Sequence, residues 1–214
     1  MHRVFFTWFF LGSTALGSYI DSAVFINEFH YDNDGADVGE FIEVVAPTAL
    51  HDLTAVTLTL SNGGNGTAYA GPTALSTFTQ RDVVGPFAFY TLDIALQNGA
   101  PDGLALALAG DVLQFLSYEG VFTATDGVAA GLASTDIGVS EPPSTPPGAT
   151  LQLTGRGDSY ADFTWELLPS ETYGMVNERQ SLVPEPASLV GWLTGLLALA
   201  LDQHRRRRRS RSVR

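Results

Sequence analysis

The chain contains no cysteine and no lysine. Without cysteine there is no disulfide, no thiol nucleophile and no cysteine-ligated zinc or iron–sulfur site. Without lysine, all 11 basic residues are arginines, and they are unevenly placed. Seven of them, Arg205 to Arg209, Arg211 and Arg214, stand in the last ten of 214 residues. Between Val24 and Leu182 only Arg81, Arg156 and Arg179 oppose 20 acids, a balance of −17 against −12 for the whole chain. A body this acidic offers no basic surface to phosphates, which excludes DNA and RNA as partners. Charged residues are few, 16%, but a hydrophobic content of 45% argues against a disordered chain. The body also lacks a long amphipathic helical pattern, a Gly-x-Ser-x-Gly elbow, a phosphate loop, a dinucleotide fingerprint and histidines at zinc spacing.

The uncharged apolar runs stand at the two ends. Met1-His2-Arg3 is followed by the aromatic-rich run Val4 to Leu16, with Ala15 and Gly17 as small residues before a cut after Gly17. That order is the grammar of a secretory signal peptide over residues 1–17; a buried terminal strand or helix is the alternative. Near the other end, Ala187 to Leu201 is uncharged and is followed by Arg205, Arg206, Arg207, Arg208 and Arg209. Fifteen helical residues span about 22 Å, short of the roughly 30 Å of hydrocarbon in a bilayer. Length alone fits a core helix. The arginine block fits a membrane stop retained on the cytoplasmic side, with 187–201 as a single transmembrane helix and 205–214 as its tail.

Between the ends, short runs rich in Val, Phe, Tyr, Leu and Thr alternate with Gly, Asn, Asp and Pro. The pattern predicts strands at Val24 to Tyr31, Glu40 to Val45, Ala55 to Leu60, Phe87 to Leu92, Leu104 to Leu108, Val112 to Ser117, Thr150 to Thr154 and Asp162 to Trp165. The period of two in Glu40 to Val45 and Ala55 to Leu60 reads as antiparallel strands with one face buried. Eight such strands in one domain, 24–180, predict an all-β sandwich. Ser140 to Gly148 carries four prolines and is expected as an extended surface loop within that domain.

Two resemblances add to this. The order Pro184-Glu185-Pro186, apolar segment, arginine block over 183–209 resembles the PEP-CTERM sorting signal of exported bacterial proteins. It implies a Gram-negative envelope, transient or permanent anchoring in the inner membrane with the body periplasmic, and release to the cell surface or beyond by an exosortase. Ile26 to Asn33 followed by Gly39-Glu40-Phe41-Ile42-Glu43-Val44 resembles the opening of a bacterial lamin-tail domain. Asp102 to Leu106, Phe115 to Gly120, Asp136 to Glu141, Leu151 to Gly155 and Asp162 to Trp165 extend that resemblance. It implies an immunoglobulin-like antiparallel β-sandwich acting as an interaction or positioning module.

Three constellations in the body bear on chemistry. Asp32, Asp34, Asp37 and Glu40 stand in one short loop, where gathered carboxylates can bind calcium; a solvated acidic hairpin loop explains them equally. No other cofactor is indicated. Glu28, His30, Glu40 and Glu43 are the groups a secreted hydrolase would use if they met in a pocket. Tyr118, Phe122, Tyr160, Phe163 and Trp165 serve either as a binding platform or as core. Arg156-Gly157-Asp158 and Asn65-Gly66-Thr67 are read as turn chemistry rather than as recognition motifs. The expectation is a non-enzymatic adhesion or scaffold module. Its partners would be a matrix polysaccharide or protein outside, and the membrane and sorting machinery at the C-terminus.

Overall fold

The computed structural model describes residues 21–183. The signal peptide at 1–17, the motif Pro184-Glu185-Pro186, the apolar segment 187–201 and Arg205 to Arg209 lie outside the described residues. By its contacts the chain divides after Leu182. Among the described residues no helix is long and apolar enough to cross a membrane.

Twelve strands make the body all-β: β1 (Phe25–His30), β2 (Phe41–Pro47), β3 (Val56–Asn62), β4 (Thr67–Ala74), β5 (Thr79–Val84), β6 (Phe87–Asp93), β7 (Asp102–Leu108), β8 (Asp111–Tyr118), β9 (Thr135–Asp136), β10 (Thr150–Gly157), β11 (Phe163–Leu168) and β12 (Gln180–Leu182). They form two sheets, β11-β10-β1-β2-β6-β5 with β12 joined to β10, and β4-β3-β7-β8-β9. All eight expected strands are present. The two sheets share one core, with Phe25, Phe29, Val44, Phe89 and Leu151 from the first and Leu58, Leu60, Leu104, Leu106 and Leu116 from the second. Each such side chain, fully buried, contributes roughly 1.5–3 kcal/mol. Of the candidate platform aromatics, Tyr118, Phe163 and Trp165 belong to this core and Tyr160 packs against it. Tyr118 stacks on Tyr31 at 4.0 Å, Phe29 meets Trp165 edge-on at 5.3 Å and Phe25 meets Phe163 at 5.7 Å.

Two features depart from the expectation. The sheets are not wholly antiparallel, since β12 pairs parallel with β10 and β9 parallel with β8. More consequentially, β1 and β2 are buried on both faces, where the alternation of Glu40 to Val45 had predicted one buried face for β2. Their polar face is roofed by the segment from Ser170 to Gln180, a strap without strand pairing until its last residue. The other sheet has an outer cover too, in which Phe115, Phe122, Ala124 and Ala129 pack together. Phe122 lies so close to β7 that a Cβ on Gly103 would stand 2.8 Å from its ring. That close approach explains why glycine follows Asp102.

Candidate functional site

The strap is held by amides and carboxylates. Asn177 Nδ2 donates to the carbonyls of Asn27 (3.0 Å) and Leu153 (2.9 Å), and its Oδ1 accepts from Asn27 Nδ2 (3.2 Å). Gln180 Nε2 donates to Asn27 Oδ1 (2.6 Å). Beneath lie Glu28 and Glu43, paired across β1 and β2 and both fully buried. Glu28 takes hydrogen bonds from Thr150 Oγ1 (2.6 Å) and from the Thr172 backbone (2.9 Å), with Thr172 Oγ1 at 2.7 Å. Glu43 accepts from Asn27 Nδ2 (2.8 Å) and from Gly174 N–H (2.6 Å).

Burial pushes the Glu28 carboxyl up, against the hydrogen bonds it accepts. Glu43 is pushed well up by burial and then by the charge of Glu28. A neutral Glu28 can donate to Thr172 Oγ1, leaving that hydroxyl free to donate to Asn177 Oδ1 at 3.0 Å.

A second anchor holds the proline-rich loop. Ser140 to Gly148 is the surface loop expected, with its four prolines exposed, but Glu141 and Thr145 within it are buried. Glu141 Oε2 accepts the backbone N–H groups of Tyr31 (2.7 Å) and Asp32 (2.9 Å), and its Oε1 lies 3.0 Å from His30 Nδ1. The other ring nitrogen, Nε2, lies 3.2 Å from Asn33 Oδ1. Asn33 cannot turn its amide round, because its Nδ2 donates to the carbonyls of Asp34 and Ala36 while its Oδ1 accepts from Val38 N–H. His30 thus faces two acceptors, and only the imidazolium satisfies both. Burial pushes His30 down, but the hydrogen bond and charge of Glu141 carry it above the ordinary histidine value.

Of the candidate calcium residues the structure brings the side chains of Asp32 and Asp37 together, without a third. Asp32 is buried, and its carboxyl is raised by burial and then by the charge of Asp37. Asp37 Oδ2 accepts from Asn98 Nδ2 (3.2 Å). Asp34 is exposed, with its N–H bonded to Thr145 O (2.8 Å). Glu40 turns to another neighbour, accepting the Leu96 N–H at 2.8 Å. Among the described residues no group of three or more His, Asp or Glu side chains is placed to hold a metal ion. The hydrolase candidates are divided, with Glu28 and Glu43 under the strap, His30 against Glu141, and Glu40 at a surface cleft.

That cleft, about 660 Å³ and open to solvent, is lined by Glu40, Phe41, Arg81, Asp93, Glu171 and Tyr173 among others. β2, β5, β6 and the strap each contribute a wall. Tyr173 is the central strut. Its hydroxyl accepts from Arg81 Nη2 (2.8 Å) and donates to Asp93 Oδ1 (2.7 Å). Its ring meets Phe41 edge-on at 4.9 Å and lies under the Arg81 guanidinium at 4.8 Å. Arg81 Nε also donates to Thr91 Oγ1 (2.9 Å). Gly174, at φ +83°, lets the strap pass here, since a Cβ on it would stand 2.6 Å from the Arg81 side chain.

Sequence reasoning nominated only Glu40 of these cleft residues. The one signal for Arg81 was its isolation as one of three bases in an acidic body; Asp93, Glu171 and Tyr173 carried none. No family model, curated protein or solved structure matches the chain.

Proposed function

We propose that the protein is an exported, non-enzymatic binding module whose immunoglobulin-like, lamin-tail-like sandwich works outside the cytoplasm. Residues 1–17 direct export. The Pro184-Glu185-Pro186 signal, the 187–201 helix and the arginines at 205–209 hold the chain in the inner membrane, body outward, until an exosortase releases it to the surface or matrix. Its role there is adhesion or scaffolding.

The observation that supports the non-enzymatic reading is the burial of three of the four candidate catalytic groups, which leaves Glu40 alone at the open cleft. Glu28, Glu43 and His30 are at most 3% exposed, and each is bonded to protein on all sides, so none is free to meet a substrate. The −17 balance of the body supports the exclusion of nucleic acid. Intact mass and cell fractionation of the protein test the export reading. The expected species lacks residues 1–17 and is found outside the cytoplasm, with or without the segment after Pro186. A cytosolic chain starting at Met1 overturns it.

A further inference from the structure

We infer that the cleft between β2, β5, β6 and the strap is a binding site for a neutral oligosaccharide. The argument is an inventory of polar groups left over after the fold has used its share. A guanidinium has five N–H donors. Arg81, which lines the cleft, spends one on Thr91 and one on Tyr173, so three have no hydrogen-bond partner among the described residues. On the acceptor side, Asp93 Oδ2, Glu40 Oε2 and both oxygens of Glu171 have no hydrogen-bond partner there. Unpartnered donors and acceptors therefore line the same open cleft.

Charge and polarity then select the ligand. An anion gains from Arg81 alone and meets three carboxylates in the cleft and 20 acids over the body. A cation gains from the carboxylates but lies against the guanidinium. An apolar ligand would strip water from all of these groups and return no hydrogen bond. A sugar hydroxyl both donates and accepts, so neighbouring hydroxyls can bridge Arg81 and a carboxylate at once without carrying charge. Tyr173 prearranges that pair, because its one hydroxyl fixes Arg81 on one side and Asp93 on the other. The openness of the cleft suits a segment of a longer chain passing across it rather than an enclosed small molecule.

This inference rests on the proposed extracellular role only for its biological source; the cleft chemistry stands without it. The test is isothermal titration calorimetry of the full chain held in lauryldimethylamine oxide, a detergent without a sugar headgroup. The probes are cellohexaose, laminarihexaose and maltohexaose, with oligoalginate as anionic and hexalysine as cationic control. At least one neutral hexasaccharide is expected to bind, with an affinity insensitive to added salt because no counterions are released. Glu171→Ala and Tyr173→Phe should each weaken it about tenfold, the equivalent of one lost charge-assisted hydrogen bond. Glu178→Ala, on the strap but outside the cleft, should leave it unchanged, and circular dichroism confirms that each variant is folded. Failure of all three neutral probes, binding of a charged control alone, or full affinity in Glu171→Ala overturns the inference. Fractionation separates the two claims: an exported chain that binds no hexasaccharide defeats the ligand, and a cytosolic chain that binds one defeats the export.

Discussion

Replacing Glu141 by glutamine keeps the side chain's shape and removes its charge. In the wild type the carboxylate serves two backbone N–H groups through Oε2 and the imidazolium through Oε1. The glutamine oxygen can still accept both N–H groups, which leaves its NH₂ facing His30 Nδ1. That nitrogen must then accept, so His30 becomes the neutral tautomer that donates from Nε2 to Asn33. Its titration should move from above the ordinary 6.5 in the wild type to below it in the variant, since burial, the largest influence, is then opposed only by the smaller contributions of Asn33 and Val38. The sign follows by linkage. A histidine raised in the folded state contributes stability that is fully present below about pH 6.5 and lost as pH rises through the folded value. In Glu141→Gln that slope should reverse, with stability falling as the solution is acidified through the same region. Loss of the charge assistance should cost about 1–2 kcal/mol near pH 6. Glu141→Ala goes further, because it leaves two buried backbone N–H groups without acceptors. At about 1–3 kcal/mol each, with about 1 kcal/mol added for the lost ion pair, the cost is about 3–7 kcal/mol, a large share of a typical folding stability. Imidazole NMR titration and urea unfolding between about pH 5.5 and 8.5 measure both effects. A wild-type His30 that titrates below 6.5, an unchanged titration in the glutamine variant, or an alanine variant within about 1 kcal/mol of wild type refutes the reasoning.

Three further outcomes are expected. Asp102 is buried, its Oδ2 has no partner, and burial raises its carboxyl to about 6, so its contribution falls as pH rises from about 4 through 6. Asp102→Asn should therefore gain on the wild type, by up to about 3 kcal/mol between pH 4 and 8 in paired urea titrations. Asn177→Ala deletes the amide that ties the strap to Asn27 and Leu153, and should lower stability by about 3–4 kcal/mol while hydrogen exchange at the β1 and β2 amides accelerates. Gly174→Ala adds a Cβ against Arg81 at a positive φ; a fall of at least about 2 kcal/mol, with faster exchange confined to the strap, is expected by the same measurements.

The strands legible in the sequence were those that alternate or run apolar, such as Phe41 to Val45 and Leu104 to Leu108, because burial against a core imposes those patterns. β4 and β5 were missed for a physical reason. Both are sheet edges, and their sequences, with Gly71-Pro72 in one and Gln80-Arg81-Asp82 in the other, follow what an edge tolerates rather than what a core demands. The loop glycines were legible as turns. The partners of Asn27, Glu28 and Glu43 were not, since Asn177, Thr172 and Gly174 lie more than 120 residues along the chain from β1 or β2. No local period records a polar face sealed by a distant strap. The cleft was invisible for the same reason, because its walls come from four separate segments.

Sealing the sheet with amides and carboxylates rather than with apolar side chains has a structural consequence. An apolar face accepts a covering segment in several registers, as contact area is non-directional. The face formed by Asn27, Glu28, Glu43 and Gln152 does not: each shift of the strap by one residue moves Asn177 and Gln180 off their acceptors and leaves buried polar groups unmatched. The strap is therefore fixed in one register, and that register is what brings Tyr173 to Arg81 and Asp93 and builds the fourth wall of the cleft. It also carries the chain into β12, which ends at Leu182, two residues before Pro184. A cut after Pro186 leaves every strap contact in place. A cut before Asn177 removes the bonds to Asn27 and Leu153 and with them the roof over two buried carboxylates. If the proposed sorting signal is cut after Pro186, the released body keeps its strap, because Pro184 to Pro186 lie beyond the last residue that seals it.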